Sequence, residues 1–83
     1  MTKTLEIATR FKQIRKNKKI SQQNLSKLSG VSYGSIRRFE NTGEISLSSL
    51  VKLLEPIGLM SEIDGLFKTS SYSSFDEIID ELI

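Results

Sequence analysis

The chain of 83 residues contains no cysteine and no histidine. Without cysteine there are no disulfide bonds and no thiolate metal ligands, and without histidine the chain lacks the usual general base and a common zinc ligand. No phosphate-binding loop or other nucleotide signature is present. The densest group of acids, at positions 76, 77, 80 and 81, is typical of a solvated helix face. We therefore expect no catalytic residues, no metal site and no cofactor.

Long apolar stretches are also absent. No segment approaches the roughly 20 apolar residues that a membrane-spanning helix needs, and the first residues lack the apolar centre of a secretory signal peptide. We therefore expect a cytoplasmic protein without a membrane partner. Charged residues make up 27% of the chain and hydrophobic residues 37%, a balance typical of one small globular unit.

The charge is unevenly distributed along the chain. Residues 1–43 hold ten of the twelve lysines and arginines and carry a formal charge of +8, whereas residues 44–83 carry −6. A basic first half beside an acidic second half indicates a polyanionic partner for the first half. The alternative is chance clustering on a solvated surface.

Apolar residues recur with helical spacing, and no segment alternates with the period of a β-strand. The pattern predicts helices over residues 4–18, 22–29, 33–40, 47–55 and 60–67, three of them capped by a preceding serine. Among the apolar residues expected to face the core are Ile7, Leu28 and Leu47. Pro56 should end the fourth helix near residue 55.

The sequence after residue 67 has a different character. Residues 68–74 form a polar linker, and residues 75–83 have the pattern of a short acidic amphipathic helix. We therefore expect an all-α fold, with a five-helix domain over residues 1–67 and a linker with an acidic tail over residues 68–83.

The segment 21–40 places two short helices on either side of a tight glycine turn, which is the spacing of a helix-turn-helix. From Leu5 to Phe67 the sequence resembles the Cro/cI-type repressors, also called the Xre family. The residues that carry this resemblance are Gln22, Leu25, Ser26, Gly30, Val31, Ser32, Ile36, Glu40 and Gly43. Two departures are mild: family members often have alanine at the position of Ser26, and they rarely have proline at a position like Pro56.

The resemblance implies a sequence-specific transcriptional repressor that binds a double-stranded DNA operator and places its third helix, residues 33–40, in the major groove. It assigns DNA base contacts to Tyr33, Gly34, Ser35 and Arg38. It assigns DNA phosphate contacts to Ser21, Gln22, Ser32, Arg37 and Asn41. Since position 38 lies nearer the base-reading face of the family, we expect Arg38 to pair with guanine and Arg37 to meet phosphate. The alternatives are helix capping for the serines and Gln22, packing for Tyr33, and solvation for the arginines.

The resemblance also implies a structural ion pair. It places Arg15 and Glu40 so that they tie the first helix to the end of the third. We interpret this pair as structural rather than catalytic, since a partly buried pair is costly to break from one side.

A homodimer is expected because one helix-turn-helix covers only a half-site of a few base pairs. The candidates for a dimer or partner face are the apolar residues Leu59, Met60, Ile63, Leu66, Phe75, Ile78, Ile79 and Leu82. For residues 59–66 the alternative is plain core packing. For the tail the alternatives are packing on its own domain or on the dimer mate, disorder, or folding over the basic surface in competition with DNA.

The acidic tail also indicates a second class of function, a protein-interaction module. Its composition is that of an amphipathic helix that inserts into a groove of another protein. Small repressors of the resembled family often serve as antitoxins, and the chain resembles the HipB-like antitoxins among them. On this hypothesis the tail binds and neutralises a toxin protein, and the chain represses its own toxin-antitoxin operon.

Overall fold

The structure is a computed structural model that describes residues 2–68, and this part of the chain forms five α-helices. They are α1 (Lys3–Asn17), α2 (Gln22–Ser29), α3 (Tyr33–Thr42), α4 (Leu47–Ile57) and α5 (Met60–Asp64). The predicted all-α class is therefore confirmed. The predicted acidic helix and most of the linker lie outside the described residues. None of the helices in residues 2–68 is both long enough and apolar enough to cross a membrane.

Hydroxyl side chains set the starts of the four longer helices. The side chains of Thr2, Ser21, Ser32 and Ser46 each accept a hydrogen bond from the backbone N–H three residues later. Such a bond satisfies one of the N–H groups that a first helical turn leaves unpaired. The ends of α2, α3 and α4 are glycines with positive φ, a conformation that residues with a Cβ rarely adopt. Local chemistry therefore fixes most of the helix boundaries.

One cluster of buried apolar side chains joins the helices. Its members are Ala8, Phe11, Leu25, Val31, Ile36, Phe39, Leu53, Leu54 and Ile57. α1 and α2 both pack against α3, and α4 packs against α2 and α5. Between α1 and α3 the rings of Phe11 and Phe39 meet edge to face, with their centroids 5.4 Å apart. Together with Ile36, Phe39 fixes which side of α3 faces the protein and which side faces solvent.

Three apolar residues expected in the core lie at the surface instead. Leu28 is 63% exposed, and Ile7 and Leu47 are also exposed. On α1 the buried stripe is displaced by one residue, so that Ala8 is buried and Ile7 lies at the edge. The predictions for these residues were wrong because helical spacing identifies a wide apolar arc. It does not identify which part of that arc a neighbouring helix covers.

The fourth helix does not end near residue 55 as predicted, because α4 includes Pro56 and ends at Ile57. Pro56 lies in the last turn, where its missing N–H removes a single intrahelical hydrogen bond. Ile57 is buried in the core, the N–H of Gly58 bonds back to the carbonyls of Glu55 and Leu54, and the N–H of Leu59 bonds to the carbonyl of Leu54. Packing and capping therefore offset the lost bond.

The fifth helix is shorter than predicted. α5 covers only Met60–Asp64, its N-cap residue Leu59 makes no side-chain cap bond, and Gly65 follows its last turn. Leu66 and Phe67 lie in the turns beyond it, and Phe67 has a positive φ of 65°. The last apolar side chains of the described chain therefore protrude from a turn rather than continue a helix.

Candidate nucleic-acid interface

Two serine side chains hold the turn between α2 and α3. The hydroxyl of Ser26 donates to the carbonyl oxygen of Val31 over 2.6 Å, and the hydroxyl of Ser29 accepts from the N–H of Val31 over 3.1 Å. Gly30, at a φ of 77°, reverses the chain, and Val31 is buried. Hydrogen bonds as well as packing therefore fix the angle between α2 and α3. Ser26 adds a bond across this turn.

A buried ionic cluster ties α1, α2 and α3 together. Nε and Nη2 of Arg15 donate to the two carboxylate oxygens of Glu40 at 2.7 and 2.9 Å, and Nη1 donates to the carbonyl of Ile20 at 2.8 Å. The side-chain amide of Gln22 also donates to Glu40, at 2.9 Å. Among the described residues, no buried side-chain nitrogen or oxygen lacks a hydrogen-bond partner. Displacing α1 or α3 would leave a charge unpaired in the interior, and displacing α2 would remove the bond from Gln22 to Glu40, so the cluster orients all three helices.

One face of α3 is exposed along its whole length. Ile36, Phe39 and Glu40 are buried on its inner side. The residues of α3 to which the sequence assigned DNA contacts are all exposed: Tyr33, Gly34, Ser35, Arg37, Arg38 and Asn41. A Cβ added at Gly34 would meet no atom within 4 Å, so the outer surface of the first turn is open. The structure therefore brings these six residues together on one surface.

The two arginines of α3 have different partners. The guanidinium of Arg37 lies 5.7 Å from the centre of the Tyr33 ring, one turn earlier, which is within reach of a cation–π contact. Arg38 forms an ion pair with Glu44 in the loop after α3, with Nη2 and Nε at 2.5 and 3.1 Å from Oε2. Both side chains of this pair are mostly exposed. Arg37 is thus held toward the start of α3 and Arg38 toward the loop at its end.

The other predicted phosphate contacts lie at helix starts. Ser21 and Ser32 cap α2 and α3, at ends where backbone N–H groups favour an anion. The hydroxyl of Ser32 also donates to that of Ser35 at 2.8 Å. Gln22 is half-buried, and its amide belongs to the ionic cluster through Glu40. The structure shows the capping role of the serines, and their phosphate contacts stay predictions.

Two residues of this surface, Thr42 and Glu44, were not expected from the sequence. The hydroxyl of Thr42 donates to the carbonyl of Arg38 at 2.7 Å and accepts from the N–H of Glu44 at 3.1 Å. The available signal was an acid six residues after Arg38, across a glycine turn. The spacing rules for helical ion pairs do not cover such a pair, because they apply at three or four residues within one helix.

The part of the sequence that supplies this surface is strongly basic. Between Glu6 and Glu40 the chain holds nine lysines and arginines and no acidic residue. Arg15 pairs with Glu40 in the interior, so that acid adds no free negative charge to the surface. Within residues 2–68 no group of three or more potential metal-ligating side chains is arranged to hold an ion. The exposed arginines of α3 are suited to bind an anionic polymer.

The bonded helix-turn-helix and the exposed basic face of α3 define the class, a DNA-binding helix-turn-helix protein. A family model described as helix-turn-helix matches residues 11–61, which is more than half of the chain. The chain therefore belongs to the Xre/Cro-type helix-turn-helix family of DNA-binding transcription regulators, as the resemblance indicated. No curated protein and no solved structure gave a significant match.

Proposed function

We propose that this transcription regulator is a sequence-specific repressor that binds double-stranded DNA as a dimer and reads the major groove with α3. The observation that carries the proposal is the exposed face with Arg37 and Arg38, opposite the buried Ile36 and Phe39. An α-helix with its side chains is about 10–12 Å across, close to the ~12 Å width of the major groove. Because the turn and the ionic cluster are fully bonded, this face meets DNA as a rigid surface.

The proposed contacts divide into two groups. Tyr33, Gly34, Ser35 and Arg38 contact bases, and the N–H fork of Arg38 donates to O6 and N7 of a guanine. Ser21, Gln22, Ser32, Arg37 and Asn41 contact phosphates and set the register of α3 on the duplex. Gln22 has a second amide N–H beyond the one that it donates to Glu40, so membership of the ionic cluster does not prevent this contact.

Selection from a random duplex pool, followed by fluorescence anisotropy at several salt concentrations, tests the proposal. We expect the wild type to enrich an inverted repeat, with an affinity that falls steeply as salt rises. Arg38→Ala should flatten the preference at one or two positions of each half-site. Arg37→Ala should weaken binding to all sequences and reduce the salt slope by about 1.

Lys52→Ala supplies the matched control, because Lys52 is an exposed cation on α4 and its replacement changes the net charge by the same amount. We expect this variant to select the same sequence as the wild type. The proposal fails if no sequence is enriched and binding is indifferent to both arginines of α3.

Apolar side chains at the end of the described chain support the dimer. Leu66 and Phe67 are exposed, whereas Leu59, Met60 and Ile63 are half-buried against the core. Adjacent exposed apolar residues commonly mark a protein interface. The predicted tail members of this face, Phe75, Ile78, Ile79 and Leu82, lie outside the described residues.

Sedimentation equilibrium tests this face. We expect a dimer for the wild type and a monomer with unchanged helix content for Leu66→Asp. Leu28→Asp, a change at an exposed leucine on α2, should leave the dimer intact. A monomeric wild type would contradict the dimer, and a dimeric Leu66→Asp would contradict this face.

The acidic tail supports a second candidate function, the neutralisation of a toxin protein from the operon that the chain represses. Residues 75–83 concentrate four acids and five apolar residues in nine positions, a composition typical of helices that bind in a groove.

A chain ending at residue 68 tests both the domain boundary and the tail. If the shortened chain keeps its helix content, its dimer and its operator binding, the tail is available for a partner. Loss of the dimer would assign the tail to the dimer mate, and tighter DNA binding would assign it to the basic surface.

A further inference from the structure

We infer that Glu44 is a specificity-determining residue, whose carboxylate holds the guanidinium of Arg38 in the orientation that reads guanine. The inference rests on the proposed function and deepens it. It concerns a residue of the loop after α3 that carries no DNA contact of its own in the proposal. Its role is to position Arg38.

Arg38 has enough N–H donors to bind Glu44 and a guanine at the same time. A guanidinium has five N–H donors, one on Nε and two on each terminal nitrogen. Glu44 Oε2 accepts from Nε at 3.1 Å and from Nη2 at 2.5 Å, so it occupies the side edge of the guanidinium. The end edge, formed by Nη1 and the second N–H of Nη2, keeps the two parallel donors that pair with O6 and N7 of guanine. The ion pair and the guanine contact are therefore compatible in the same rotamer.

Hydrogen bonds and close packing fix the backbone around Glu44. The Thr42 hydroxyl bridges the carbonyl of Arg38 and the N–H of Glu44, so both members of the pair share one bonded support. A Cβ added at Gly43 would lie 2.7 Å from the backbone carbon of Thr4, so the turn sits directly against α1. Glu44 is thus an exposed side chain on a fixed backbone, and its ion pair with Arg38 starts from a fixed point.

Opposite effects on affinity and specificity distinguish this role from a plain surface charge. An exposed ion pair changes an equilibrium by about fivefold at most. Without Glu44, the flexible side chain of Arg38 spends part of its time in rotamers that do not reach the guanine, so discrimination falls. At the same time a carboxylate near DNA phosphates is repelled, and removing it strengthens binding to all sequences. A plain surface charge would produce only the second effect.

The experiment measures Kd by anisotropy on two duplexes. They are the selected site and the same site with guanine replaced by adenine at the position whose preference Arg38→Ala flattens. We expect the wild type to discriminate by about 5- to 150-fold, the range of a bidentate contact. Glu44→Ala should lower that ratio by up to about fivefold while binding random DNA at least as tightly as the wild type. Glu44→Gln keeps one acceptor oxygen and should lie between the two.

Three further variants complete the test. Thr42→Val removes the bridging hydroxyl at nearly constant shape and should lower the ratio in the same direction. In an Arg38→Ala background, Glu44→Ala should not change the ratio further. Glu55→Ala, at an exposed acid on α4, is the charge-matched control and should keep the wild-type ratio.

The inference is overturned if Glu44→Ala keeps the full ratio and strengthens binding to both duplexes equally. It is also overturned if Arg38→Ala flattens no position, since Glu44 then has no base contact to orient. A wild type that selects no sequence overturns the proposed function itself, and this outcome is distinct from a selective wild type whose ratio ignores Glu44.

Discussion

Replacing Glu40 by alanine should strongly destabilise this fold. The side chain of Glu40 accepts three hydrogen bonds, two from Arg15 and one from Gln22. In this variant, Arg15 keeps its hydrogen bond to the carbonyl of Ile20 but loses its counter-charge, although it is only 6% exposed. Removing one partner of a buried pair reduces the free energy of unfolding by about 3–5 kcal/mol. A domain of this size has a free energy of unfolding on the order of 5 kcal/mol, so most of its stability would be lost.

Urea unfolding followed by far-ultraviolet circular dichroism measures the change. Glu55→Ala, at an exposed acid on α4, is the control and should change the free energy of unfolding by less than about 0.5 kcal/mol. The double variant Arg15→Met with Glu40→Leu should recover most of the stability, because apolar residues of similar volume replace buried ion pairs at little cost. Equal, small losses for Glu40→Ala and Glu55→Ala would refute the view that the ionic cluster holds the helices together.

Two further predictions concern the ends of α3. Gly43→Ala should reduce the free energy of unfolding by about 3 kcal/mol, since an alanine must adopt the positive φ and its Cβ would lie 2.7 Å from the backbone of Thr4. Gly30→Ala shares the positive φ but meets no atom within 4 Å, so it should cost about 1–2 kcal/mol in the same urea assay; equal losses would show that the contact with α1 is unimportant. Ser32→Ala removes the cap of α3 and should cost about 1 kcal/mol, measured as a thermal shift, and an unchanged melting temperature would contradict the capping role.

The helix starts were predictable because their causes are local. A serine hydroxyl accepts from an N–H three residues later, and this pattern is visible in the printed sequence at Ser21, Ser32 and Ser46. The burial of individual apolar residues was less predictable. Leu28 and Leu47 share helical spacing with core residues but lie where no other described helix covers them. Their exposure depends on how whole helices pack, which spacing along one helix does not encode.

The candidate site was likewise predictable only in part. The exposed face of α3 follows from its helical period, once Ile36 and Phe39 are placed in the core. The contacts of Gln22 with Glu40 and of Arg38 with Glu44 were missed. The first joins residues 18 positions apart in the chain, and the second crosses a turn whose geometry only the structure shows.

Replacing one guanine by 7-deazaguanine in the selected DNA site tests whether α3 reads the major groove. This base lacks the N7 acceptor in the major groove and leaves the minor-groove edge unchanged. When 7-deazaguanine replaces the guanine with which Arg38 pairs, the wild type should bind at least about fivefold more weakly. The variant Arg38→Ala should bind both duplexes equally. If the wild type binds both duplexes equally, and instead loses affinity when inosine removes the guanine amino group from the minor groove, then α3 does not read the major groove.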